Sequence, residues 1–224
     1  MDAVEDFAVA LGEVDCLVAM SRKTGVGDSE RSVLVKASLL LLAAKTECFI
    51  EDIVEEYCTM EGKKVTSAEV SEAVRISVSR KRLIDSEFVK NESLERDKAL
   101  KVLSEVAALW CDTRPCPQLE IDAKFDFGRH GEEEVRRLFR RIGMEGVFDR
   151  CLVEDNIESM ASSQGPISVA ADFNSLTHLR NNIIHTDATP SLTDSDVERY
   201  KRRLMLFARE VERQLLLNLR TAAA

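Results

Sequence analysis

Glycine and proline are scarce, together 13 of 224 residues, about half the usual share. A chain with so few turn formers builds few, long elements. No stretch is apolar enough for a membrane span. The strongest run, Ala37 to Ala44, is eight residues between Lys36 and Lys45, where a span needs about 20. The acidic start, Met1-Asp2-Ala3-Val4-Glu5-Asp6, lacks the basic region and apolar core of a secretory signal. A hydrophobic share of 45% with 32% charged residues excludes disorder, collagen and a membrane bundle. A chain of this length buries about 70% of its unfolded surface, enough for a full core in a single domain spanning residues 1–224. The final Ala222-Ala223-Ala224 reads as a cloning remnant and is left out of the fold reading.

Chemical motifs are missing as well. There is no G-x-x-x-x-G-K-[ST] for a phosphate loop, no H-E-x-x-H or E-x-x-H for a helical metal site, and no G-x-S-x-G nucleophile elbow. No C-x-x-C occurs among the cysteines at 16, 48, 58, 111, 116 and 151. They read as reduced cytosolic thiols, mostly small core residues, with Cys48 and Cys58 the firmest cases. Cys111 and Cys116 flank a loop close enough to bridge, but read as free. Three histidines (130, 178 and 185) and no cysteine pairing leave little material for zinc. The expectation is a cytoplasmic protein with no metal and no cofactor.

Net charge is −9 and unevenly spread. Residues 1–60 hold 12 acidic and 5 basic residues, while 61–224 hold 28 and 26. Basic clusters stand at Arg136, Arg137, Arg140, Arg141 and at Arg199, Lys201, Arg202, Arg203. Each alone reads as a solvated helix face. The acidic total argues against a duplex-DNA binder, whose affinity comes from a basic stripe.

Apolar spacing predicts helices at 3–21, 30–60, about 67–84, 93–109, 132–142, 168–186 and 194–219. The second is a buried mast. Its inward face runs Leu34, Val35, Leu39, Leu42, Ala43, Phe49, Ile50, Ile53, Val54, Tyr57, and its central stretch is apolar all round. Thr66-Ser67-Ala68-Glu69 has the pattern of a capping box opening the third helix. The fourth carries Leu94, Ala99, Leu100, Val102, Leu103, Val106, Ala107 and Trp110 as its apolar side. Residues 112–130 read as a long irregular loop, and 145–166 as short turns. No strand, repeat or dividing linker is visible. The reading is an all-α bundle of about seven helices, the last two antiparallel neighbours because their loop is short.

The segment Ser168 to Asp187 is chemically unusual. At 100° per residue, Val169, Phe173, Leu176, Leu179 and Ile183 form an apolar face. Asn174, His178, Asn181 and His185 fall in a sector about 60° wide on the other side. A stripe of amides and imidazoles without Lys or Glu suggests a cleft or an interface. Arg180 lies about 140° around from His185, at the flank of the stripe. His185, in the last turn, suits either a C-capping role or acid–base work near neutral pH. Arg180 is suited to gripping a phosphate.

The string Arg180-Asn181-Asn182-Ile183-Ile184-His185 resembles the R-x(4–6)-H motif of the HEPN superfamily (higher eukaryotes and prokaryotes nucleotide-binding). The mast segment from Leu39 to Asp52 and the Arg-rich helix between Gly131 and Gly143 resemble the corresponding parts of RiboL-PSP-type HEPN proteins. The likeness spans residues 30–61 and 130–215. It departs at Thr186, where many members have Gly, and in the acidic overall charge. The resemblance implies a metal-independent endoribonuclease, often the toxin of a toxin–antitoxin or phage-defence system, working as a homodimer with both motifs facing one cleft. It implies His185 as acid–base group, Arg180 as the charge on the phosphorane and Asn181 as an orienting amide. His178, Asn182 and Glu47 are supporting positions. The partners implied are RNA, a second copy and an antitoxin protein, with neither membrane nor duplex DNA. A non-catalytic HEPN module binding RNA, nucleotide or a protein partner is the alternative, and a plain helical scaffold the third.

Overall fold

A computed structural model describes residues 1–64, 66–86, 96–111, 116, 118–126, 130–149, 168–186 and 191–221. Within them the chain is all-α. Seven helices follow one another: α1 (Asp2–Ser21), α2 (Asp28–Glu61), α3 (Glu72–Asp85), α4 (Arg96–Leu109), α5 (Glu132–Arg140), α6 (Val169–Thr186) and α7 (Asp194–Thr221). No strand forms among the described residues.

The mast is real and its ends are chemically set. Gly25 takes a left-handed φ of 94° in the turn before it. The Glu30 carboxylate reaches back to the Gly27 N–H at 3.1 Å and caps the start of α2. Helix α2 packs against α1, α5, α6 and α7. Leu39, Leu42, Phe49, Ile50, Ile53, Val54 and Tyr57 are buried along it. Phe7 of α1 stacks on Phe49, ring centroids 4.7 Å apart. The expected all-round burial is not reached: Leu40 and Leu41 are only partly covered, because α2 is roofed by neighbours on part of its circumference.

Helices α6 and α7 run antiparallel. Counting back from the end of α6 and forward from the start of α7, Asp172 meets Arg203 at 3.2 Å and Phe173 meets Phe207 edge-on. Phe148, in the turn after α5, stacks on Phe207 at 5.3 Å and closes this aromatic cluster. Thr193 and Asp196 cap α7 reciprocally. Asp196 Oδ2 accepts from the Thr193 N–H at 2.9 Å, and Thr193 Oγ1 accepts from the Asp196 N–H at 3.3 Å. Pro190, between the two helices, lies outside the described residues.

Three expectations are corrected. The box at Thr66 opens only a single 3₁₀ turn, Ser67–Glu69. Helix α3 starts five residues on, where the Ser71 hydroxyl accepts from the Val74 N–H and Glu61 Oε2 accepts from the Ser71 N–H at 2.7 Å. The Ser67 hydroxyl is spent on the Ala108 carbonyl instead. Second, α4 buries only Leu109 among its residues; Leu100, Leu103 and Trp110 are largely exposed, since α4 lies at the rim and touches α3 and the 3₁₀ turn. Third, Cys16 and Cys48 are exposed while Cys58 is buried. Cys48 sits two residues from buried Ile50, about 200° around the helix. Cys111 and Cys116 are half-buried, and Cys151 lies outside the described residues. So does most of the 145–166 stretch.

Candidate active site around Glu47, His130 and Arg180

The residues of the α6 stripe do not act together. Asn174, near its start, accepts the Glu132 N–H at 3.0 Å and donates to the Glu132 carboxylate at 3.1 Å. It thereby caps α5 in place of a side chain from the Gly131 N-cap position. Glycine is needed at 131 for this approach: a Cβ there would lie 2.9 Å from Asn174 Oδ1. One turn on, the Thr177 hydroxyl donates to the His130 carbonyl at 3.0 Å. So α6 holds the end of the loop before α5 by two side chains.

That loop end carries His130 to α2. Its Nδ1 is sealed from solvent and lies 3.3 Å from Glu47 Oε1. Its ring tilts against Phe125, centroids 5.7 Å apart. Arg180 approaches the same carboxylate oxygen from α6, with Nε at 3.7 Å. A small cavity adjoins them, lined by Ala43, Thr46, Glu47, Phe125, His130, Phe173, Leu176 and Thr177. Burial pushes the Glu47 carboxyl above its ordinary range; His130 and Arg180 pull it back, and Glu51 adds to the rise.

Asn181 Oδ1 accepts from Arg180 Nη1 at 3.3 Å. The guanidinium is thus held from two sides, by a carboxylate of α2 and by the amide beside it. Asn182 Nδ2 and His178 Nε2 lie 3.0 Å apart on the exposed side of α6, away from Glu47. His185 is exposed in the last turn of the helix and makes no hydrogen bond or ion pair among the described residues. Ile184 beside it is 52% exposed.

The structure therefore brings Arg180, Asn181 and Glu47 together and leaves His178, Asn182 and His185 outside that cluster. Arg180 and His185 are five helical steps apart, a rise of about 7.5 Å and a turn of about 140°, so within one chain they face different ways. His130 is the group that sequence reasoning did not single out. Its only sequence signal is an imidazole directly before the glycine that starts an acid-rich helix, and nothing local points from there to Glu47. Among the described residues no cluster of three or more His, Cys, Asp or Glu side chains is placed to hold a metal ion, and no helix is long and apolar enough to cross a membrane.

An Arg-x(4)-His motif late in a helix, followed by a long final helix and packed against a central mast, is the arrangement the sequence resemblance anticipates. The family model described as RiboL-PSP-HEPN matches residues 18–216, which takes in α2 through most of α7. No curated protein and no solved structure matches the chain. On the strength of the family match and the all-α fold, the chain belongs to the RiboL-PSP-HEPN family of the HEPN superfamily.

Proposed function

We propose that this protein is a metal-independent endoribonuclease that acts on cytoplasmic RNA, as the toxin of a toxin–antitoxin pair or as a phage-defence effector. The observation that carries the reading is the guanidinium of Arg180, held between Glu47 and Asn181 on the helix that ends in His185. A preorganised cation of this kind stabilises charge that develops on a phosphorane. In the reaction the ribose 2′-oxygen attacks phosphorus and loses its proton to a base. The bond from phosphorus to the 5′-oxygen breaks, and that oxygen takes up a proton. The products are a 2′,3′-cyclic phosphate and a 5′-hydroxyl.

His185 is the proton-transfer group in this scheme. It is free to act because no described residue occupies its ring nitrogens. Arg180 and His185 point apart within one chain, and one imidazole serves poorly as both acid and base. A second copy across a two-fold supplies the missing partners for both. The exposed Ile184, next to His185, gives such an interface an apolar contact. Asn181 orients Arg180, and Glu47 with His130 sets the guanidinium from behind. His178 and Asn182 support the helix surface beside the motif.

The test is cleavage of a mixed RNA pool in excess EDTA, with end-group analysis. The expected result is cutting with cyclic-phosphate ends. RNA that is bound but left intact, with or without divalent metal, supports the non-catalytic module instead.

A further inference from the structure

The Arg-rich helix α5 and the middle of α3 form the walls of a groove of about 540 Å³. Its cationic lining is Arg80 and Lys81 from α3, with Arg137, Arg140 and Arg141 from α5 and the residue after it. Residues three and four apart share a helix face, so the α5 arginines all reach the same side. The acids in the lining are Asp122 and Asp126, from the segment that crosses below.

Those acids are already committed. Asp122 pairs with Arg141 at 2.8 Å. Asp126 faces Arg137 at 3.4 Å, and Arg137 also pairs with Glu134. Lys81 is matched outside the groove by Asp85 at 2.6 Å. Arg80 and Arg140 are exposed and have no ion-pair partner among the described residues. The groove thus carries two arginines beyond its own carboxylates, in a protein whose net charge is −9. Burial lowers the Arg141 guanidinium below its usual range, and the push from Arg137 and Arg80 adds to this despite the carboxylate of Asp122. The repulsion among Arg137, Arg80 and Arg141 is what an anion in the groove would relieve.

The groove shares the 124–126 segment with the candidate site. Arg137 Nη2 donates to the Lys124 carbonyl at 3.0 Å. The next residue, Phe125, packs on His130 and lines the cavity beside Glu47. Asp126, one residue further, is in the groove wall. Arg137 is thus tied to the segment that borders the candidate site, with Arg140 and Arg80 in the same groove lining. Among the described residues the groove lining has no aromatic side chain on which a base would stack, and its arginines suit backbone contact over base reading.

We infer that the α3–α5 groove binds the phosphodiester backbone of RNA flanking the cleavage point, with Arg80 and Arg140 as phosphate-gripping residues. This rests on the RNA-cleaving reading given above. The test is binding of a 20-nucleotide 2′-O-methyl RNA, which cannot be cut, by the wild type and by Arg80→Ala/Arg140→Ala across a salt series. A single-stranded phosphate contact contributes about 0.7 to the slope of log affinity against log salt. The double variant is expected to bind about tenfold more weakly at low salt, with a slope smaller by about 1.4. Arg80→Lys/Arg140→Lys keeps the charge and is expected to keep the slope. Cleavage of a dinucleoside monophosphate, too short to reach the groove, should be unchanged in all three proteins. Equal affinity and slope in wild type and double alanine variant, with dinucleotide cleavage present, overturns the groove alone. A wild type that neither binds the 20-mer nor cleaves RNA overturns the RNA reading and the groove with it. Both substituted side chains are exposed, and thermal melting by circular dichroism checks that the variants fold.

Discussion

Arg180 of α6 and Glu47 of α2 meet at 3.7 Å, Nε to Oε1, across the packed face between the two helices. The same oxygen lies 3.3 Å from His130. One half-buried carboxylate therefore fixes the motif's arginine and ties the loop before α5 to the mast.

Glu47 carries this role at some cost to the fold. Its carboxyl is held above the ordinary value of 4.5, first by burial and then by Glu51, against the pull of His130 and Arg180. A group raised in the folded state contributes stability below its unfolded value, and the contribution is lost as pH rises through the folded value. Glu47→Gln should therefore melt at the same temperature as the wild type near pH 4 and at a higher one at pH 7.5. It should also lose RNA cleavage, because Arg180 loses its anchoring charge. Thermal scans at the two pH values check the sign; a variant less stable than wild type at pH 7.5 refutes it.

The buried pair of Asp172 and Arg203 pins α6 to α7, with both side chains more than nine-tenths covered. Removing one partner leaves a buried charge exposed to low dielectric. Asp172→Ala is expected to cost about 3–5 kcal/mol. Denaturant unfolding measures this, and a loss below about 1 kcal/mol would show that the pair is easily solvated.

Gly131 gives Asn174 room to cap α5. Asn174→Ala removes both hydrogen bonds to Glu132 and Gly131→Ala displaces the same amide, each bond being worth about 1 kcal/mol. Together they should cost little more than either alone, since they share one interaction. A double-mutant cycle by denaturant unfolding gives the coupling; simple additivity would place the cap elsewhere.

The fold was largely written in local pattern. Of the apolar positions Val4, Phe7, Ala8, Leu11, Val14, Leu17 and Val18, five are the buried side of α1, while Ala8 is exposed and Leu17 half-buried; the start expected at 194 is where α7 begins. Local chemistry misled where two signals competed. Thr66 and Ser71 are both good caps, and the contact that chose Ser71 is the carboxylate of Glu61 from another helix. The amphipathic pattern of α4 carried no information on whether a neighbour would cover Leu100. At the site, Arg180 and Asn181 were legible because a motif places them in six consecutive residues. Glu47 was legible only through the likeness of the mast segment. His130 was not, because its meaning comes from a contact between residues far apart in the chain.

The central claim is that Arg180 and His185 perform a metal-independent phosphoryl transfer. Single-turnover cleavage by Arg180→Ala and His185→Ala in excess EDTA tests it most directly. Loss of a general acid–base group costs about 10²–10⁴-fold, and loss of a preorganised electrostatic donor about 10²–10³-fold. Both variants should fold, since neither side chain belongs to the apolar core. His178→Ala, which removes only the contact with Asn182, should cost less. The account predicts wild-type cleavage that survives the chelator and is lost in both motif variants; wild-type rates in His185→Ala, or activity abolished by EDTA, would contradict it.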